Sequence, residues 1–141
     1  MPLRYLAVDF GAARTGLALS DIVGVTCRPL AVIEQRDETT LVAAILAIVE
    51  SEAVGAIVVG LPRPLSGGTN RQLEKTQDFA ARLAGEAPVP VVCWDERFTT
   101  KLAERGRKTP GAADSVAACH LLQNYLDFLC LRSDSRVDDL T

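Results

Sequence analysis

The chain has 141 residues, a formal net charge of −3 and a pI near 5.1, and 48% of its residues are hydrophobic. That length and apolar content suit one domain with a single good core, and no stretch approaches the roughly 18 to 20 apolar residues that a membrane span needs. The acidic balance argues against a strongly basic nucleic-acid binder. Four cysteines without a CxxC pair, beside a single histidine, exclude the usual zinc spacings and imply no disulfide framework.

Met1-Pro2-Leu3-Arg4 leads straight into a strand with no signal-peptide pattern, so a cytoplasmic location is expected. Residues 3–10 read as the first strand. A turn from Gly11 to Gly16 leads to a second strand, Leu17-Ala18-Leu19-Ser20, and residues 26–34 make a third. Short turns between consecutive strands imply antiparallel pairing. The period then changes: Leu41, Ile45 and Ile48, with Val42 and Val49 beside them, follow helical spacing. Asp37 or Thr39 can cap that helix and Gly55 stops it. Ala56-Ile57-Val58-Val59-Gly60-Leu61 is a continuous apolar run suited to a strand covered on both faces. After a Gly/Pro/Ser loop from Pro62 to Asn70, a second helix shows Leu73, Thr76, Phe79, Ala80 and Leu83 on one face. Val89 to Trp94 is a further strand. A last helix carries Ala117, Ala118, Leu121, Leu122, Tyr125 and Leu129, with His120 exposed or half-buried. Residues 1–131 form one domain on this reading, and the polar residues 132–141 a frayed tail. The order βββαβαβα predicts an α/β fold: a mixed five-stranded sheet with helices on both faces.

Acidic residues mark one edge of that sheet. Asp9 ends an apolar strand, where an isolated carboxylate is costly unless it is paired or binds a metal; the competing reading is a cap for the following turn. Asp95 and Glu96 end the last strand, and ligands of α/β sheets gather at the carboxyl ends of the parallel strands. Asp114 opens the last helix, where it is either an N-terminal acid favoured by the helix dipole or part of the same cluster. Converging carboxylates need neutralising. Hard oxygen donors suit Mg²⁺ or Mn²⁺, and a pair of such ions hydrolyses phosphodiesters. The cysteines, each in an apolar segment, read as small core filler. From Arg97 to Lys108 the chain carries five basic residues against Glu104 alone, which by itself reads as a solvated helix face.

Four motifs together resemble the YqgF/RuvX family. They are Asp9-x-Gly11-x-x-Arg14-x-Gly16-x-Ala18-x-Ser20-Asp21; Val58-Val59-Gly60-Leu61-Pro62 with Gly67-Gly68; Asp95-Glu96-Arg97-Phe98-Thr99-Thr100; and Asp114-x-x-Ala117-Ala118-x-x-Leu121-Leu122-Gln123-x-Tyr125-Leu126. The resemblance implies an RNase H-like fold related to the RuvC Holliday-junction resolvase. It also implies a metal-dependent nuclease of the kind described for 5′ processing of pre-16S rRNA or for branched DNA. By position it implies Asp9, Glu96 and Asp114 as catalytic acids, with Asp95 beside them as a further metal ligand. Arg14, Arg97, Thr99, Thr100 and Lys101 are then candidates for nucleic-acid contact. The sequence departs from many RNase H-like nucleases in having Gly60-Leu61-Pro62, with no acid, at the end of the fourth strand. Only 13 residues (114 − 100 − 1) separate Thr100 from Asp114. A homodimer is expected by analogy with the resolvases.

Two rival readings differ in class. Gly11 to Gly16 has the glycine spacing of a P-loop, but Leu17-Ala18 stands where Lys-[Ser/Thr] is required. Asp9-x-Gly11 also resembles the phosphate motif of actin/Hsp70-type ATPases, which need two lobes where this length supplies one. The other rival is a catalytically weak RNase H-like module that binds nucleic acid or serves ribosome assembly.

Overall fold

The structure is a computed structural model. It describes the chain except residues 1–2, 12, 35–36, 63–69, 96–109 and 141, and the side chains of 110–114 and 132–140. Five strands, β1 (Tyr5–Asp9), β2 (Arg14–Ser20), β3 (Cys27–Glu34), β4 (Ala56–Leu61) and β5 (Val91–Asp95), form one sheet in the order β3-β2-β1-β4-β5. The helices are α1 (Glu38–Ser51), α2 (Arg71–Glu86) and α3 (Pro110–Leu140). β1 pairs antiparallel with β2, β2 with β3, and β1, β4 and β5 run parallel. The expected mixed sheet and element order are therefore present, and the carboxyl ends of β1, β4 and β5 share one edge.

Strand alternation divides the molecule into two cores. On one face Leu6, Val8, Leu17, Leu19, Ile57 and Val59 meet Leu41, Ile45 and Val49 of α1 and Phe79 and Leu83 of α2. On the other, Ala7, Ala18 and Val58 meet Ala118, Leu121, Leu122, Tyr125 and Leu126 of α3. The first face carries branched and long side chains; the second is lined by small ones near the sheet centre, which lets a helix sit close to the backbone. The α2 residues Leu73, Thr76, Phe79, Ala80 and Leu83 are all buried, as their spacing predicts.

Boundaries differ in ways that matter for the site. β2 begins at Arg14, so the chain reverses within residues 10–13 and not over Gly11–Gly16. A Cβ at Gly11 would collide with the Arg14 carbonyl oxygen, and that tight reversal is why a glycine stands there. β5 extends through Asp95, which puts that acid inside the ladder opposite Leu61. Helix α3 starts at Pro110, a residue suited to a first helical position, so Asp114 lies in its second turn and does not open it. The same helix continues to Leu140, where polar composition had suggested a frayed tail from residue 132. Helix α1 stops before Gly55: Glu52 is its C-cap, and Ala53, at φ 53°, takes the left-handed place.

Caps follow the sequence signals. The Asp37 carboxylate accepts from Thr40 N (2.7 Å) and Thr40 Oγ1 (3.0 Å), and Asn70 Oδ1 accepts from Leu73 N (2.8 Å). Asp21 closes the β2–β3 turn, its Oδ1 accepting from Val25 N (2.8 Å) and Thr26 N (3.3 Å). These backbone hydrogen bonds hold the Asp21 and Asp37 carboxyls below their ordinary value of 3.8. A depressed carboxyl pKa contributes stability above the unfolded-state value, and that contribution is lost as pH falls through the folded-state value. Denaturant midpoints measured from pH 7 downward should therefore drop below about pH 4, and the drop should be shallower in an Asp21→Asn/Asp37→Asn double variant.

Candidate active site

The orientation of Asp9 is set by its neighbour. Phe10 leaves β1 toward the α1/α2 face, where its ring stacks on buried Phe79 with centroids 4.4 Å apart and planes 11° apart. Gln72 Nε2, in the first turn of α2, donates to the Phe10 carbonyl (3.4 Å). Alternation then turns half-buried Asp9 to the opposite face, the one Ala7 and Tyr5 share with α3.

The register shows what stands beside that carboxylate. On β2 its partner is Gly16. On β4, one step past the Val8–Val59 pair, it is Gly60, and Gly60 is paired with Trp94 on β5. The row across the sheet reads Gly16, Asp9, Gly60, Trp94. Asp9 thus has bare backbone on both sides, and an indole closes the row. Trp94 is fixed by Tyr125 (centroids 5.3 Å apart, planes 73° apart) and Phe128 (4.9 Å, 50°), both from α3. A lone glycine inside a strand marks a close approach by ligand or backbone, and here two such positions flank one acid. Sequence reasoning noted Gly60 only as part of a strand end that lacks an acid, and neither it nor Gly16 as a neighbour of Asp9. The signal available for Gly60 was its place within an otherwise β-branched run.

Arg14 comes to the same face and edge. It lies in β2, not in a loop, with the parity of Gly16 and Ala18, and its ladder partner is Glu34. Asp95 does not join Asp9. Val92 and Trp94 pack on the α3 face, whereas Val91 packs on the α1/α2 core, and Cys93 and Val91 border a groove under α2 with Leu61. Asp95 shares the parity of Val91 and Cys93, so it ends β5 on the α2 side of the sheet. Glu96, Arg97, Thr99, Thr100 and Lys101 lie outside the described residues. So does the side chain of Asp114, whose backbone is in α3, the helix that crosses β1, β2 and β3. Ser20 and Asp21, which belong to the same motif as Asp9, sit at the far end of β2 and serve the fold: Ser20 Oγ accepts from Tyr5 N (2.8 Å).

The reading of the cysteines as core filler holds in part: Cys27 and Cys119 are half-buried and pack against the α3 core, whereas Cys93, on edge strand β5, and Cys130 are exposed. His120 is half-buried, as expected. Among the described residues no three His, Cys, Asp or Glu side chains come together to hold a metal. Asp9 itself is an oxygen donor at a strand end, the ligand type that a hard divalent cation takes.

A sheet of three antiparallel strands extended by two parallel ones, centred on β1 with an acid at its end, is an RNase H-like fold of the RuvC type. Solved structures bear out that fold. Thermus thermophilus RuvC in complex with a Holliday junction substrate superposes with a TM-score of 0.59 at 17% identity, covering 89% of this chain and 96% of that one. The Fowlpox virus resolvase in complex with Holliday junction DNA gives 0.58 at 13% identity, covering 90% and 99%. The chain belongs to the RuvX family, whose family model, described as Holliday junction resolvase, matches residues 3–128. Curated relatives include a protein of Koribacter versatilis, 39% identical over 132 residues (88% of this chain, 86% of that protein). Another, from Anaeromyxobacter sp. strain Fw109-5, is 40% identical over 133 residues (89% and 97%). Both bear the name "Putative pre-16S rRNA nuclease".

If Asp9 is a metal ligand, Mn²⁺ should raise the melting temperature of the protein, by the equivalent of roughly 2 to 3 kcal/mol at a hundredfold excess over Kd. Differential scanning fluorimetry should show that shift in the unaltered chain and none in Asp9→Asn.

Proposed function

We propose that this protein is a divalent-metal-dependent nuclease that hydrolyses phosphodiester bonds. Its substrates on this reading are the 5′ region of pre-16S rRNA, branched DNA, or both. The observation that carries the reading is Asp9, held on the α3 face at the carboxyl end of the central strand between two glycines. The family and the names of the relatives support the same activity.

Asp9, Glu96 and Asp114 are the residues that would hold Mg²⁺ or Mn²⁺. Val92 and Trp94 set the parity of β5 toward α3, and Asp95, the last residue of the strand, has the other; the choice of Glu96 over Asp95 follows from that and from the motif. Position 114 stands four residues before Ala118 and seven before Leu121, so helical spacing puts it in line with the stripe that packs on the sheet. Two such ions, when bound, would supply an activated water and stabilise the leaving oxygen. The chain's own contribution is to fix Asp9 at the end of the central strand between Gly16 and Gly60. Arg14, on the same face, would contact a substrate phosphate, and Arg97, Thr99, Thr100 and Lys101, which follow Glu96 in sequence, would be further contacts for the strand. The protein acts in the cytoplasm on this reading, and a twofold dimer would present two sites to a symmetric junction.

Retention of Asp9 between two glycines favours this reading over a purely structural assembly factor. Purified protein should cut structured precursor RNA, single strands or four-way junctions in Mn²⁺ and stop on adding EDTA. Asp9→Asn and Asp114→Asn should each lose at least the roughly hundredfold that even the outer-shell partners of a metal are worth. Full activity in either variant would remove that residue from the site.

A further inference from the structure

One pair of side chains lies outside everything assigned above. Cys27, the first residue of β3, and Cys119, on α3, hold their sulfur atoms 3.2 Å apart across 92 residues of sequence. Cys27 Sγ also donates to the Cys119 carbonyl oxygen (3.1 Å), and Gln123, one turn on, reaches the same thiol (3.7 Å) while its Nε2 donates to Val25 O (3.2 Å) and Asp127 Oδ1 (3.0 Å). Both cysteines are half-buried, within reach of a small oxidant. A disulfide bond is about 2.05 Å long, so the sulfurs need to approach by only about an ångström, a side-chain adjustment.

We propose that Cys27 and Cys119 are a modification site: a reversible disulfide, formed with hydrogen peroxide as oxidant, that clamps α3 to edge strand β3. Peroxide oxidises one thiol to a sulfenic acid and leaves as water. The second sulfur then attacks the first, forming the S–S bond and releasing the hydroxyl as another water. The two thiols give up two electrons and two protons, and one peroxide becomes two waters. A dithiol returns both electrons and both protons.

The clamp has a target. Cys119 stands five residues after Asp114 on the same helix, so the bond fastens the segment that carries a proposed catalytic acid. It also closes a long loop, which restricts the unfolded chain. Burial, and then the adjoining Cys119 thiol, push the Cys27 thiol up to about 12, with Asp127 acting in the same direction. The thiolate is the reactive form, so air oxidation is slow and an added oxidant is needed. The proposal does not depend on the nuclease reading.

The exposed thiols, Cys93 and Cys130, provide an internal comparison of proximity against exposure. The full chain, treated with excess hydrogen peroxide and digested without reduction, should yield one cross-linked pair of peptides carrying Cys27 and Cys119. Free thiols should fall from four to two, the melting temperature should rise by several degrees, and dithiothreitol should reverse all three changes. Cys27→Ser and Cys119→Ser should each abolish the cross-link and the shift, with the Ala variants substituting if a Ser variant fails to fold. Oxidation confined to Cys93 and Cys130, with Cys27 and Cys119 still free in the peptide map, would overturn the proposal.

Discussion

The stacking of Phe10 on Phe79 governs the functional edge of this molecule. A strand presents successive residues to opposite faces, so committing Phe10 to the α1/α2 core commits Asp9 to the face under α3. With Leu6 and Val8 buried on the same side, that contact turns the acid at the end of the central strand toward α3. The hydrogen bond from Gln72 to the Phe10 carbonyl secures the same exit.

The two faces of the sheet are built for different tasks. Long and branched side chains thicken the α1/α2 side into the larger core. The α3 side has Ala7 and Ala18 at its centre and Gly16 and Gly60 at its edge. Side-chain volume falls toward the carboxyl ends of the strands, and the row that holds Asp9 ends at Trp94 with its partners Tyr125 and Phe128.

Much of this was legible in the chain itself. The β-branched run of β4 and the helical spacing of α2 carry their own periodicity, and Asp37 and Asn70 cap as their residue types suggest. The order of elements was enough to predict the sheet and to place Asp9 and β5 at one edge. Features that depend on pairing were not legible. Arg14 reads as a loop residue because the turn before it is closed by one backbone contact at Gly11, invisible in composition. Asp95 and Glu96 are adjacent in sequence, and only the register of β5 against β4 shows which parity faces α3. Cys27 and Cys119 are 92 residues apart, so no spacing rule could join them. The extension of α3 past residue 131 is likewise hidden, because its composition is polar.

On the proposed function, the α3 face, and not merely the sheet edge, carries the catalytic acids. Comparing metal-dependent cleavage by Asp95→Asn and Glu96→Gln is the sharpest test, since the two acids are neighbours in the chain and Asp95 has the parity of the α2 side. Asp95→Asn should keep its rate within a few-fold of the unaltered protein, while Glu96→Gln should lose on the order of a hundredfold. The reverse pattern, with Glu96 dispensable and Asp95 required, would contradict the account.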